Sequence, residues 1–147
     1  QYGTDAIALR FSHVYGPGRT TQCFIRDMLS AAREGHPCKI PHASRSLRQY
    51  VHIDDVCQSI DRAFDVDNPS ERVFNISADE IHTLADVVKV IWRVTGRTDV
   101  QFDENNDPMN YRIGPLSIER ARKILGYRPA LSLEAGIERY WKEAFSD

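Results

Sequence analysis

The stretch that decides the fold is AIALRFSHVYGPGR, which occupies positions 6–19. Its first six residues are mostly apolar, a pattern typical of a strand that is buried on both faces in a parallel sheet. The strand is followed by a turn rich in glycine and proline, and it brings the polar residues Ser12 and His13 to that turn. Because open α/β sheets bind ligands at the carboxyl ends of their strands, this turn is the first candidate for a binding site.

Downstream of the turn, short strands alternate with amphipathic helices, which predicts the α/β class. The predicted strands are short apolar or alternating runs at 38–40, 47–52, 73–76 and 100–102. The predicted helices have apolar residues at helical spacing and run from 21 to 34, 54 to 67, 83 to 94, 117 to 125 and 132 to 145. No repeat or linker divides the chain, so we expect residues 1–147 to form a single unit.

Side-chain oxygens are expected to cap four of these helices by accepting backbone N–H bonds. Asp54 or Asp55 should cap the second helix, and Thr83 with Asp86 has nearly the spacing of a capping box. Ser117 and Ser132 should cap the last two helices. The second helix is predicted to carry Val56, Ile60 and Phe64 on one apolar face.

Composition excludes several classes of protein. The 147 residues are 41% apolar and 27% charged with a net charge of −2, which gives no overall attraction to nucleic acid or anionic lipid. No apolar stretch approaches the roughly 20 residues of a membrane span. Three cysteines, odd in number, favour a reducing cytoplasm over a disulfide scaffold. The five histidines form no metal-binding pattern, so we expect no metal site.

A second chemically informative segment is LRQYVHIDDV, at positions 47–56. Strand alternation places Arg48 and Tyr50 on the same face. A guanidinium carries five N–H donors in a fixed fork that matches phosphate or carboxylate oxygens. This face is therefore predicted to contact an anion.

Four segments of the chain resemble the extended short-chain dehydrogenase/reductase family, in its branch of NAD-dependent nucleotide-sugar epimerases and dehydratases. Residues 9–19 resemble the family's L-R-x-x-N-V-Y-G-P-G-R, and residues 48–56 resemble R-D-[FY]-[IV]-[HY]-V-x-D-[VL]. Residues 73–76 are similar to V-[FY]-N-[IL]-G. Residues 121–129 and 133–137 are similar to the closing K-A-x-x-x-L-G-[WY]-x-P and L-E-E-G-[IL]. The segments follow the family's order over nearly the whole chain.

The resemblance implies the carboxyl-terminal part of a Rossmann-type enzyme. Residues 1–20 would supply the last core strand and its turn, and residues 21–147 a small α/β substrate-binding region. The family's Gly-rich cofactor motif and its Tyr-x-x-x-Lys pair come earlier in the chain, and neither occurs in this sequence. We therefore expect no catalytic residue here, no turnover by this chain alone, and no tight binding of the NAD or NADP that the complete protein would use.

The resemblance also implies roles for individual residues. Arg48 matches the arginine that grips the substrate diphosphate, with Tyr50 beside it. His13 stands where the family usually has an asparagine that hydrogen-bonds the same diphosphate. Arg112 lies near a second phosphate-binding arginine. All four are candidate substrate-binding residues.

Four further residues match the edges of the family's ligand sites. Phe11 and Ser12 match positions that line the nicotinamide side of the cofactor. Cys23 and Phe24 open the first helix, where relatives contact the substrate. The loop at 42–46 departs from the family, because the usual G-[DN]-G is absent.

Three functions remain open on the sequence. The first is the substrate-binding half of an epimerase or dehydratase acting on a nucleotide-diphosphate sugar. The second, favoured by His13 and the altered loop, is part of a reductase or dehydrogenase of a non-nucleotide carbonyl compound. The third is a non-catalytic binding module. The expected partners are the substrate, an amino-terminal Rossmann half and a possible second copy in a homodimer, with no nucleic acid or membrane.

Overall fold

The computed structural model describes residues 6–106 and 114–145. The helices are α1 (Phe24–Glu34), α2 (Ile53–Asp65), α3 (Leu84–Thr95) and α4 (Leu133–Ala144), with a π-helical turn at Ala121–Leu125. The strands are β1 (Ala8–Phe11), β2 (His13–Tyr15), β3 (Cys38–Ile40), β4 (Leu47–Arg48), β5 (Tyr50–His52), β6 (Val73–Ile76), β7 (His82–Thr83) and β8 (Val100–Phe102). The predicted α/β class is confirmed.

Three of the described strand pairs are parallel: β1 with β6, β2 with β5, and β3 with β8. The strands β4 and β7 pair antiparallel. The chain changes neighbours at Ser12, whose N–H donates to the carbonyl of Ile76 at 3.1 Å, while the next N–H, that of His13, donates to Gln49 at 3.0 Å. Ser12 and His13 therefore lie where the chain leaves β6 and joins β5.

Two apolar clusters hold these elements together. One lies between α1, α3 and α4 and includes Met28, Leu29, Ile91 and Ile137. The other surrounds β5 and β6 and packs Phe74 and Ile76 against the π-helical turn. Tyr15 and Tyr50 belong to the first cluster although they lie on β2 and β5. The paired strands β2 and β5 thus connect the two clusters.

The first strand is shorter and more exposed than predicted. It begins at Ala8, and three of its four residues are exposed. Within residues 6–106 and 114–145, β1 pairs only with β6, so one edge of the strand has no neighbour. The prediction of a strand buried on both faces is wrong for the described part of the chain, because both faces must be covered by packed elements and most residues of this strand are left exposed.

The predicted caps of α3 and α4 are confirmed, but that of α2 is wrong. The Thr83 hydroxyl accepts from the N–H of Asp86, and Ser132 accepts from Ala135. The N-cap of α2 is His52, whose ring accepts from the N–H of Asp54. Asp55 instead faces inward, where its carboxylate accepts bonds from the N–H groups of residues 130 and 131 at 2.8 and 3.3 Å.

One further prediction about helices is wrong, and another is confirmed only in part. The buried face of α2 includes Val56 and Ser59, whereas Ile60 is 38% exposed and Phe64 is 85% exposed. The helix expected at 117–125 is present mainly as a π-helical turn that ends at Gly126, and the Ser117 hydroxyl accepts from the N–H of Glu119 at 3.4 Å ahead of this turn. In the described ranges, no helix has the length and apolar content needed to cross a membrane.

Candidate functional site

A cleft of about 930 Å³ opens at the point where β1 passes into β2. One wall is the chain from Phe11 to Thr21, which includes the Gly/Pro turn, and the other is the segment from Leu47 to Gln49. Ile53, Ile81, Gly114 and Leu116 complete the described lining. The cleft therefore lies at the carboxyl end of β1, where the sequence predicted a binding site.

The described lining of this cleft is cationic. It contains the guanidinium groups of Arg19 and Arg48 and the imidazole of His13, and it contains no aspartate or glutamate. Leu47 and Ile81, which are 50% and 40% exposed, add apolar surface to the same lining. Such a lining suits a ligand that has both an anionic group and an uncharged part.

Arg48 is the most informative residue of the cleft because it is only 5% exposed. Its Nη1 donates to the carbonyl of Leu47 at 2.7 Å. Among residues 6–106 and 114–145, no carboxylate lies within ion-pair distance of its guanidinium. Burying a charge without a counter-ion is costly. An anionic ligand beside Arg48 would supply the counter-charge that the described residues do not provide.

His13 lies across the strand pair from Tyr50, with the two ring centres 5.8 Å apart. Although His13 is exposed, partial desolvation in the cleft lowers its pKa below 6.5, and the charge of Arg48 lowers this pKa further. The ring is therefore neutral at pH 7, with one nitrogen donating and the other accepting.

Arg19 fixes the turn that forms one wall of the cleft. Its guanidinium donates to the carbonyl groups of Val14 and Gln22 and to the hydroxyl of Thr21. Gly16 makes this turn possible because its φ is +133° and a Cβ there would lie 2.7 Å from Ile53 Cγ2. Arg19 was not among the predicted site residues, although it ends the quoted G-P-G-R motif.

Ser12 and Phe11 line the cleft beside His13. The Ser12 hydroxyl oxygen is buried and has no hydrogen-bond partner among the described residues. Phe11 is 39% exposed. Ser12 thus presents a hydroxyl that can still form a hydrogen bond, beside the aromatic ring of Phe11. This combination suits a planar ligand group that carries an amide.

Three other predicted site residues, Tyr50, Cys23 and Phe24, do not line the described cleft. Tyr50 is buried behind it and packs edge-on against Tyr15, with the ring centres 5.9 Å apart. Cys23 is buried in the core at the start of α1, and Phe24 packs on the ring of His42. Arg112 lies outside the described residues. The structure thus brings together Phe11, Ser12, His13 and Arg48.

One long-range contact that shapes the cleft was missed by sequence reasoning. The side-chain oxygen of Gln49 accepts from the N–H of Leu116 at 2.7 Å and holds that segment against the cleft. The two residues lie 67 positions apart, and no local pattern could pair them. In the described ranges, no group of three or more histidine, cysteine, aspartate or glutamate side chains could hold a metal ion.

Comparison with known families gives one match, over the part of the chain that carries most of the cleft. The sequence model of the NAD dependent epimerase/dehydratase family matches residues 1–77. The matched region contains the Gly/Pro turn, Arg48 and β5.

Similar proteins of established activity include sugar-nucleotide enzymes. The dTDP-4-dehydro-6-deoxyglucose reductase of Escherichia coli is 29% identical over 143 residues, which cover 93% of this chain and 44% of that enzyme. The dTDP-glucose 4,6-dehydratase of Mycolicibacterium smegmatis is 26% identical over 92% of this chain and 41% of its own length.

Solved structures show the same fold. The UDP-glucuronic acid 4-epimerase of Bacillus cereus, in complex with UDP-glucuronic acid and NAD, matches with a TM-score of 0.77 and 21% identity over 92% of this chain and 44% of its own. The dTDP-glucose 4,6-dehydratase of Bacillus anthracis, in complex with NAD, matches with a TM-score of 0.79 and 23% identity over 95% of this chain and 45% of its own. The chain thus spans less than half the length of these relatives.

Proposed function

Because this chain belongs to the NAD dependent epimerase/dehydratase family, we propose that it is the substrate-binding half of an NAD(P)-dependent enzyme that acts on a nucleotide-diphosphate sugar. The cleft beside the Gly/Pro turn holds the diphosphate. The partner that completes the site is an amino-terminal Rossmann half, which supplies the Gly-rich motif and the catalytic Tyr-x-x-x-Lys pair. This chain alone does not turn over substrate.

The observation that carries this proposal is the buried guanidinium of Arg48 in a cleft whose described lining has no acidic side chain. A diphosphate would supply the missing counter-charge, and its oxygens match the two parallel N–H bonds that arginine can donate. The apolar surface of Leu47 and Ile81 is available for the uncharged parts of the ligand.

Ser12 and Phe11 fit one edge of a nicotinamide dinucleotide. The buried Ser12 hydroxyl can bond a carboxamide, and the Phe11 ring offers apolar surface to a planar heterocycle. The bound cofactor supplies hydride transfer. The sequence contains no G-x-x-G-x-x-G motif that would bind the pyrophosphate of this cofactor. The role of this chain is therefore to position the substrate and to shield the nicotinamide edge from water.

The test is substrate binding to the complete gene product, with Arg48→Ala and Arg48→Lys compared with wild type. Loss of a charge-assisted contact of about 1.5–3 kcal/mol weakens binding roughly ten- to a hundredfold. Lysine restores only part of the affinity because a point charge does not reproduce the fork. Calorimetry with UDP-, dTDP-, GDP- and CDP-sugars measures the effect.

Arg93→Ala is the matched control, since this exposed arginine pairs with Glu134 at 2.8 Å and does not line the cleft. The control should bind every ligand as wild type does. Equal affinity of wild type and Arg48→Ala for every sugar nucleotide would contradict the proposal. Reduction of a neutral carbonyl compound with unchanged kinetics in Arg48→Ala would instead favour the related reductase, the reading that His13 supports.

A further inference from the structure

The cleft brings a titratable side chain close to a fixed charge. Arg48 at the end of β4 and Arg19 in the turn after β2 both act electrostatically on His13, and both effects disfavour its protonated form. Tyr50 on β5 packs against the imidazole, with the two ring centres 5.8 Å apart, and the backbone of Gln49 acts in the opposite sense to the arginines by raising the pKa of His13. No acidic side chain of the described lining shares the cleft with these groups.

We propose that His13 takes up a proton when a diphosphate binds beside Arg48, so that the site holds its ligand with two cationic side chains and binds it more tightly in acid than in alkali. This inference rests on the proposed function. It adds a proton-linked residue to the site, with the ligand rather than a protein carboxylate as the counter-charge of the imidazolium.

The physical basis is a change in what surrounds the imidazole. In the cleft without a ligand, desolvation and the charge of Arg48 lower the pKa of His13 from 6.5. A diphosphate beside Arg48 offsets that positive charge and accepts a hydrogen bond from the ring, and both effects favour the protonated form. Since no described lining residue carries negative charge, the ligand supplies the only nearby counter-charge in that part of the cleft.

The sign of the pH dependence follows from this change. The pKa of His13 is higher in the complex than in the free protein, so binding takes up protons between these two pKa values. The association constant is greatest below the free-state pKa, falls as the pH rises through the interval, and levels off above the bound-state pKa. We expect affinity to fall roughly tenfold or more across this interval, because a charge-assisted bond to phosphate is lost.

The experiment is calorimetry of the complete gene product with UDP-glucose and dTDP-glucose at several values between about pH 5.5 and about pH 8.5. Their diphosphate diesters do not titrate in this range, so any proton taken up belongs to the protein. Titrations in two buffers of different ionisation enthalpy count that proton directly. The imidazole resonances of His13, followed by NMR, should show a higher titration midpoint in the saturated complex.

Two variants separate His13 from other groups. His13→Asn keeps a hydrogen-bond donor that cannot be protonated, so its affinity should lose most of the pH dependence and proton uptake. His36→Asn is the control, because this exposed histidine pairs with Glu34 at 2.7 Å and does not line the cleft. Its pH dependence should match that of wild type.

The outcomes distinguish the two proposals. Sugar-nucleotide binding that is independent of pH, or equally pH-dependent in His13→Asn, overturns the role of His13 and leaves the proposed function standing. Failure of every sugar nucleotide to bind wild type at any pH overturns the proposed function and this inference together. Binding with proton uptake that His13→Asn abolishes supports both.

Discussion

Replacing Gly136 with alanine would place one methyl group where α4 crosses the ring of Tyr15. The added Cβ would overlap the Tyr15 hydroxyl oxygen and would lie 2.9 Å from Tyr15 Cζ and 3.4 Å from Cδ2 of His52. Tyr15 is 2% exposed, and its hydroxyl donates to the carbonyl of Leu133 at 3.4 Å. The ring therefore has no free space to enter, and either α4 or β2 must shift.

Two opposing effects set the magnitude for Gly136→Ala. Alanine stabilises a helix interior by about 1 kcal/mol relative to glycine. Overpacking costs about 1–3 kcal/mol, and loss of the Tyr15 hydrogen bond adds about 1 kcal/mol. We expect the packing cost to win, with a net loss of roughly 1–3 kcal/mol of unfolding free energy and a fall in Tm of about 2–4 °C for each kcal/mol.

Urea denaturation of Gly136→Ala, Tyr15→Phe and the double variant tests this reasoning. Phenylalanine removes the atom in the closest contact, so alanine at 136 should cost less in the Tyr15→Phe background than in wild type. The steric conflict should be relieved only in part, because Cζ of the ring at position 15 would still lie 2.9 Å from the added Cβ. Glu138→Ala, an exposed change on the same helix, should alter stability by no more than about 0.5 kcal/mol. Gly136→Ala with stability equal to or above that of wild type would refute the predicted steric conflict.

Two other stability predictions concern local hydrogen bonds. Asp55→Asn should lose about 1–3 kcal/mol in urea denaturation, because each carboxylate oxygen accepts one N–H, from Ala130 and from Leu131, and asparagine keeps only one of these oxygens. Unchanged stability would contradict this role. Thr83→Ala should lose about 1 kcal/mol with the cap of α3. The hydrogen bond from the Thr83 hydroxyl makes the largest contribution to lowering the pKa of Asp86 from 3.8 to about 2. The stabilisation of the folded state by ionised Asp86 is therefore complete above pH 3.8 and is lost as the pH falls through about 2. Acid titrations of wild type and Thr83→Ala that superimpose would exclude this contribution.

Local patterns predicted the features of the fold that depend on local chemistry. Thr83 and Ser132 cap their helices because a hydroxyl can reach an N–H two or three residues ahead whatever surrounds it. Gly35 ends α1 because its φ of +76° suits glycine. Each of these positions is determined by a few neighbouring residues, so the sequence alone could identify it.

Predictions that depended on distant partners were less successful. Periodicity placed Phe64 on the same face as Val56, but it could not show that the packed face of α2 turns away from Phe64. Asp55 appeared to be a cap because its type and position suited one. Its actual partners, the N–H groups of residues 130 and 131, lie 75 and 76 positions away.

The cleft was predictable in part for the same reason. The turn at the carboxyl end of β1 could be identified because open α/β sheets bind ligands there, whereas Arg48 and His13 were identified by the resemblance to the family. The lack of an acidic side chain in the described lining depends on which residues all the other elements contribute. The absence of an acidic side chain from that lining can therefore be seen only in the folded chain. It matters because a buried Arg48 without a counter-charge from the described residues favours an anionic ligand.

The change of neighbours at Ser12 explains how one short segment would reach both proposed ligands. Had the chain continued beside β6, His13 would follow the register that pairs Phe11 with Ile76 and would lie away from Gln49 and Arg48. Because the N–H of Ser12 is the last to bond β6 and that of His13 the first to bond Gln49, adjacent side chains enter the cleft from different strand pairs. The proposed cofactor edge at Phe11 and Ser12 and the proposed diphosphate site at His13 and Arg48 are thereby placed within one cleft, which is the arrangement that hydride transfer between a cofactor and a bound sugar requires.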